Sequence, residues 1–164
     1  MRTLPKALIA AAAVFAAAQQ IALAKPAAPD FGQYAQESAD DYTLCSGADH
    51  GPKHCVVAFK SSDDTSGYLC YMIPSTTSAR CVNITGPTVE GRVQSTGSSQ
   101  VSNSSAERDG TAEAVQELQP LHKLVIEGSP ENHLACGAGE DGSVACQNAT
   151  GHGFVLSHDS ARTW

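Results

Sequence analysis

Six cysteines in three evenly spaced pairs constrain this chain more than any other feature of its sequence. They occupy positions 45, 55, 70, 81, 136 and 146, so consecutive neighbours enclose nine, ten and nine residues. Six cysteines allow fifteen pairings, and sequence alone does not choose among them. The spacing favours the sequential scheme, because a loop of about ten residues lets a β-hairpin place its two cysteines opposite each other. The disulfides predicted in this way are Cys45–Cys55, Cys70–Cys81 and Cys136–Cys146.

The residues that flank the cysteines also favour hairpins. Residues 67–73 and 79–84 are β-prone and enclose a turn of proline, serine and threonine. Residues 133–136 and 143–147 enclose residues 137–142, where glycines accept the positive φ of a tight loop. Further strands are predicted over residues 55–60, 121–127 and 153–157. The predicted fold class is mostly β: a small disulfide-stapled domain of antiparallel hairpins with a long polar loop and at most one short helix. A sandwich, an open barrel and stacked ribbons all satisfy this pattern.

Residues 1–24 have the features of a signal peptide. Arg2 and Lys6 form a positive start, residues 7–18 are an unbroken apolar run, and residues 22–24 supply the small-x-small cleavage pattern. A membrane anchor needs about 20 apolar residues, and two glutamines interrupt this run earlier. The sequence therefore predicts a secreted, extracellular protein.

The balance of charge limits the partners of such a protein. The chain has 17 acidic and 10 basic residues, with a net charge of −7. Removal of residues 1–24 makes it more negative, since that segment carries two basic residues and no acidic one. Phosphate backbones and anionic lipid surfaces repel an acidic protein. We therefore expect no nucleic-acid partner and no membrane anchor, but an extracellular protein or cell-surface ligand that is cationic, neutral or apolar.

The remainder of the chain divides into an arm and one domain. Residues 25–41, rich in proline and alanine and then acidic, are predicted as a flexible N-terminal arm. Residues 42–164 are predicted as a single disulfide-rich β domain with a serine-rich loop at about 88–119. Within that loop, residues 95–106 contain six serines and have too few apolar side chains to hold a fixed shape. Residues 109–119 are predicted to form one or two helical turns.

Catalytic and metal-binding patterns are sparse. The chain has no Gly-x-Ser-x-Gly elbow, no phosphate-binding glycine loop and no His-Glu-x-x-His motif, so no catalytic residue and no cofactor are assigned. His50 and His54 are weak metal-ligand candidates, because two histidines four positions apart face the same way on a helix. The Gly-Pro dipeptide between them opposes a helix, and surface histidines in a polar turn are the favoured interpretation.

Three sequences match the acceptor pattern for N-glycosylation, with asparagines at positions 83, 103 and 148. In a eukaryotic secretory pathway Asn83, Asn103 and Asn148 are therefore candidate glycosylation sites. In most bacteria the same pattern carries no meaning.

The carboxyl-terminal part carries a family resemblance. The Cys136/Cys146 hairpin is followed by Gly-His-Gly-Phe at residues 151–154, by Ser157 and by Trp164 at the end. This arrangement resembles small secreted actinobacterial, mycobacterial-type cysteine-hairpin proteins of unknown function, and the Cys70/Cys81 hairpin is similar to their earlier one. The Cys45/Cys55 pair and the serine-rich insertion lie outside that pattern. The resemblance implies an exported, disulfide-stapled domain and no particular activity.

Three functions are consistent with these features. The first is a secreted non-enzymatic binding or effector-type protein that acts outside the cell through exposed loops. Its candidate contacts are residues 95–106, residues 137–142 and the tail around Phe154 and Trp164. The alternative is a secreted metal-binding or hydrolytic protein that uses clustered histidines, either His50 and His54 or the histidines of the tail. The third is a structural cell-envelope protein.

Overall fold

The fold is known from a computed structural model that describes residues 28–47, 53–61, 67–86, 89–103, 115–129 and 132–164. Strands dominate these residues and lie in two packed sheets, so the predicted mostly β class is confirmed and a sandwich is the arrangement found. The strands are β1 (Ala35–Gln36), β2 (Thr43–Ser46), β3 (His54–Ser61), β4 (Tyr68–Ile73), β5 (Ser78–Asn83), β6 (Val89–Gln94), β7 (Gln100–Asn103), β8 (Glu117–Leu118), β9 (His122–Ser129), β10 (Asn132–Ala138), β11 (Val144–Asn148), β12 (Gly153–Leu156) and β13 (Ala161–Thr163).

Each sheet is built around an antiparallel meander of five strands. Sheet I has the order β1-β9-β10-β11-β12-β13, and sheet II has the order β2-β3-β4-β5-β6-β7 with β8 also paired to β3. These five strands are β9 to β13 in sheet I and β3 to β7 in sheet II, where β2 adds a sixth antiparallel strand; among the described strands, only β1 and β8 pair with a neighbour in parallel. The described chain therefore repeats one supersecondary unit, once in each sheet.

A cross-strand disulfide joins the second and third strands of each meander. Cys70 lies directly opposite Cys81, and Cys136 directly opposite Cys146, with Cα atoms 4.0 and 4.1 Å apart. The third bridge, Cys45–Cys55, joins β2 to β3. All three predicted disulfides are confirmed, because each pair stands in register across a hairpin.

The two inner disulfides meet at the centre of the sandwich. Cys81 Sγ lies 3.7 Å from Cys146 Sγ, and both bridges are completely buried. Disulfide sulfurs carry no proton, so this contact is van der Waals packing rather than a hydrogen bond. Around it lie the largest fully buried side chains, which come from both sheets: Phe59, Met72, Val93, Leu118, Leu124, Leu134, Val144, Phe154 and Leu156.

The strands next to these disulfides fit together through one glycine and one aromatic ring. Gly91 on β6 is opposite Cys81, and Phe154 on β12 is opposite Cys146, so the two occupy equivalent positions in the two meanders. A Cβ atom added to Gly91 would overlap the Phe154 ring. Phe154 is fully buried, which corrects its prediction as a surface contact.

The predicted N-terminal arm differs from the structure over residues 28–41. That segment begins with a 3₁₀ turn at Phe31–Gln33, adds β1 to sheet I and continues through a second 3₁₀ turn at Ala39–Tyr42. The chain then enters β2 on sheet II, so it passes from the edge of one sheet to the edge of the other. Tyr42 lies in the core, only 6% exposed. Backbone pairing, the buried Tyr42, the Tyr34 ring against Gly137 and a hydrogen bond from Lys123 to the Phe31 carbonyl hold this segment, which its composition did not predict.

The predicted long loop at 88–119 is also corrected. It contains β6, β7 and the short β8, and Val115 and Leu118 are buried without any helix in residues 115–119. Val101 is the one partly buried residue of β7, which lies at the edge of sheet II, so a serine-rich composition does not prevent this strand from pairing. Residues 104–114, with most of the predicted helix, lie outside the described residues, as does the predicted signal peptide. Among the described residues, no helix is long and apolar enough to cross a membrane.

Candidate functional site

In the described part of the chain, the histidines proposed for a metal-binding or hydrolytic function do not cluster. His54 is exposed on β3 opposite Ser46, and His50 lies outside the described residues. In the tail, His152 Nδ1 lies 3.4 Å from the backbone carbonyl oxygen of Trp164, and His158 Nε2 lies 4.0 Å from Asp159 Oδ1. No group of three metal-capable side chains occurs in the part of the chain that the structure describes. The metal-binding and hydrolytic alternative therefore gains no specific support.

The three candidate glycosylation sites differ in their surroundings. Asn103 is exposed at the end of β7, and Asn83 closes a turn by accepting hydrogen bonds from the backbone N–H groups of Thr85 and Gly86. Asn148 is only 3% exposed. Its Nδ2, the atom that a glycan would modify, donates to two carbonyl oxygens. In the folded protein Asn148 is therefore a structural residue, and glycosylation at the three asparagines stays a prediction.

Asn148 ties the two sheets together. Its Nδ2 donates at 2.7 Å to the carbonyl of Gln94, the last residue of β6 in sheet II, and at 3.1 Å to the carbonyl of Gly97 in the β6–β7 turn. Its Oδ1 accepts from the backbone N–H groups of Thr150 and His152 at 3.1 and 3.0 Å, within the β11–β12 turn. Every polar atom of the amide therefore has a partner, and both donor hydrogens are used between sheets.

We expect Asn148→Asp to lower the free energy of unfolding by about 2–3 kcal/mol near neutral pH. The substitution keeps the acceptor oxygen but replaces the donor with a second oxygen that faces two carbonyls. Urea unfolding followed by circular dichroism measures the loss, with Asn103→Asp as the matched control at an exposed site. Equal stabilities of the two variants would contradict the role assigned to Asn148.

An open groove crosses the outer face of sheet I at one end of its strands. Its volume is about 620 Å³. The turn at residues 139–143, between β10 and β11, and the turn at residues 157–160, between β12 and β13, form two of its sides. Pro29 and Tyr34 of the N-terminal segment form a third side, and Val155 and Arg162 on β12 and β13 line it from the sheet. Three segments that are distant in sequence thus converge on one surface.

Hydrogen bonds within the two turns define their shape. In the first, the Gly139 N–H donates to the Ser143 carbonyl at 2.7 Å, and the Ser143 N–H donates to Asp141 Oδ1 at 3.1 Å. In the second, the Ser157 N–H donates to the Ser160 carbonyl at 2.8 Å, and the two hydroxyls lie 2.9 Å apart. Because both turns extend from strands beside the Cys136–Cys146 bridge, the groove is built on the disulfide-linked part of sheet I.

The groove is acidic. Glu140, Asp141 and Asp159 are exposed along it, against the single cation of Arg162. Burial raises the pKa of the Tyr34 phenol above its ordinary value, and the negative charges of Asp141 and Glu140 raise it further. This end of the groove therefore stabilises the neutral form of the Tyr34 phenol.

The raised pKa of Tyr34 predicts a loss of stability at alkaline pH. A tyrosine whose folded pKa lies above the unfolded value of about 10 stabilises the fold fully below that pH. The stabilisation is lost as the pH rises through the folded pKa. We expect wild type to lose more unfolding free energy than Tyr34→Phe between about pH 8 and pH 10.5. Denaturant unfolding at both pH values measures this, and identical losses would contradict it.

Of the predicted contact loops, the turn at residues 137–142 borders the groove, whereas the others lie elsewhere. Ser99, within residues 95–106, donates from its hydroxyl to the Gly153 carbonyl at 2.5 Å, between the sheets. The Trp164 ring packs over Gly153, where a Cβ atom would overlap it. Sequence analysis missed Tyr34 and Arg162, since nothing local in the chain connects them to the turn.

No family model, curated protein or solved structure matches this chain. The resemblance to actinobacterial cysteine-hairpin proteins therefore stays a prediction.

Proposed function

We propose that this chain is a secreted binding protein of the effector type, and that it holds an extracellular ligand in the acidic groove of sheet I. The observation that carries the proposal is the convergence of three distant segments on one groove of about 620 Å³. Ligand sites of about 300–1,000 Å³ are usual in proteins, and loops on a rigid scaffold usually form them. Here the scaffold is the disulfide-linked pair β10 and β11.

The charges of the groove select a cationic ligand. Glu140, Asp141 and Asp159 are all exposed, so each contributes little affinity on its own in water and salt. Their shared sign nevertheless attracts cations and repels anions during encounter. The half-buried Tyr34 ring adds apolar contact area, and Val155 lines the groove as a buried residue. A lysine or arginine side chain combines the charge and the apolar stem that such a surface accommodates.

A charged probe peptide tests this proposal. Tetralysine is expected to shift the backbone amide NMR signals of residues 139–143 and 157–160, and tetraglutamate is not. The triple variant Glu140→Gln, Asp141→Asn and Asp159→Asn should weaken the tetralysine response several-fold, because it removes three charges while keeping side chains of the same size and one oxygen at each position. Asp40→Asn, on an exposed 3₁₀ turn, is the matched control. Shifts that spread over the whole surface, or that survive in the triple variant, would contradict a site in the groove.

Secretion has its own test. The intact mass of protein recovered from culture medium should correspond to a chain that begins at Lys25 with three disulfides. A product that keeps residues 1–24, or that is found only inside the cells, would contradict it.

A further inference from the structure

We propose that the outer face of sheet I is a peptide-binding surface that the chain's own N-terminal segment, residues 28–37, already occupies. The ligand is then an extended peptide with two aromatic residues three positions apart, which replaces that segment. This inference rests on the proposed function, because the segment forms one side of the groove, and it narrows the ligand class to peptides.

The N-terminal segment binds its own sheet as an added strand. Ala35 and Gln36 pair in parallel with His122 and Lys123 of β9, whereas the rest of sheet I is antiparallel. The Ala35 N–H donates to the Leu121 carbonyl at 2.9 Å, and the Glu37 N–H donates to the Lys123 carbonyl at 2.9 Å. Such main-chain bonds form with any extended peptide, which is why strand addition is a common mode of peptide recognition.

Side chains determine which peptide fits. The rings of Phe31 and Tyr34 lie with their centroids 5.2 Å apart. Tyr34 rests on Gly137 of β10, where a Cβ atom would come within 2.9 Å of the ring. Lys123 donates from Nζ to the Phe31 carbonyl at 2.7 Å. The absence of a side chain at Gly137 leaves room for one ring, and the second ring packs beside it, so this face fits aromatic residues at spacing i, i+3, while Lys123 fixes the backbone between the segment and the sheet.

The face continues beyond the segment that covers it. A second cavity of about 340 Å³ lies beside Phe31 and Gly32 and is bordered by Val125 and Ala135 on sheet I. The acidic groove lies on the other side, next to Tyr34. A peptide in place of residues 28–37 therefore has room for larger or additional side chains on both sides.

Few buried side chains and no disulfide hold the N-terminal segment on sheet I. No residue from 28 to 41 is fully buried, and the first that is buried is Tyr42. The first disulfide follows at Cys45, so no covalent bridge restrains the segment. Parts of a protein with little buried apolar surface open at low free-energy cost. Tethering nevertheless gives the segment an effective concentration on the order of millimolar, so a free peptide must compete with it.

The test measures binding of an acetylated, fluorescein-labelled peptide with the sequence of residues 28–37 by fluorescence anisotropy. The proteins compared are the chain from residue 25 and the chain from residue 38. We expect the shorter chain to bind the peptide at least tenfold more tightly, since it lacks the internal competitor. A peptide with Phe31→Ala and Tyr34→Ala should bind at least tenfold more weakly to the shorter chain. Three intact disulfides by mass, with native circular dichroism, show that the shorter chain is folded.

A full-length variant covers the case in which the shorter chain does not fold. Phe31→Ala with Tyr34→Ala in the chain from residue 25 weakens the resident segment and leaves the face intact, so this variant should bind the wild-type peptide more tightly than wild type does. Equal binding by all folded proteins, or binding that ignores the two aromatic residues, would overturn the inference. If tetralysine still shifts the groove signals in that case, the proposed function stands and only the peptide assignment fails.

Discussion

Gly91→Val is expected to lower the free energy of unfolding by about 3 kcal/mol, at the upper end of what overpacking usually costs. Even one Cβ atom at this position would overlap the Phe154 ring, and the ring is fully buried between the sheets. Neither group has a free direction in which to move, because Gly91 pairs with Cys81 and Phe154 with Cys146. The measurement is urea unfolding under oxidising conditions.

A compensating change distinguishes this clash from a general intolerance of β6. Phe154→Ala alone should cost about 3–5 kcal/mol, because it leaves a cavity in the core. Combined with Gly91→Val it should cost less than the two changes added together, since the valine fills part of the vacated space. Gly86→Ala is the control, because its new Cβ meets only side-chain atoms of Asn83 at 3.5 Å or more. If the two losses of unfolding free energy simply added in the double variant, the contact between residue 91 and the Phe154 ring would be contradicted.

Removal of an inner disulfide should destabilise the protein far more than removal of the outer one. Both bridges close loops of similar length, with sequence separations of 10, so the entropic part of the loss is the same for each, roughly 2–3 kcal/mol. Cys136 and Cys146 are completely buried, whereas Cys45 and Cys55 are exposed. Replacing the inner pair with alanine also leaves a cavity against Cys81, which brings the expected loss to about 5 kcal/mol.

The two double variants are compared by urea unfolding, Cys136→Ala with Cys146→Ala against Cys45→Ala with Cys55→Ala. Partial reduction of wild type provides an independent measure. Dithiothreitol should open Cys45–Cys55 first, since thiols reach only that bridge in the folded state, and alkylation with peptide mapping identifies the opened pair. Equal losses of stability, or simultaneous reduction of all three bridges, would show that burial does not separate them.

Local features of the sequence predicted the local structure well. The Cys70–Cys81 and Cys136–Cys146 hairpins depend on residues about ten positions apart, and turn-forming residues within the same stretch supported them. Composition was a poorer guide at the sheet edges. Ala35–Gln36, in the predicted arm, and Gln100–Asn103, in the serine-rich loop, nevertheless form strands, because a sheet edge supplies backbone partners to almost any side chain. Of the predicted helix at 109–119, the described residues 115–119 instead contain the short strand β8, which pairs with β3 and carries the buried Leu118.

The sequence by itself favoured the three sequential disulfides and the hairpins around them, and it determined the acidic character of the chain, because these follow from neighbouring residues or from composition; the pairing itself is settled by the structure. Only the tertiary structure decided that the two meanders face each other with Cys81 against Cys146, and that Phe154 fills the space over Gly91. It also decided that Asn148 is a buried link between sheets and that Tyr34 borders the groove with residues 139–143 and 157–160. These contacts join residues far apart in the chain. No local pattern encodes them, because they depend on how two sheets pack rather than on how either one forms.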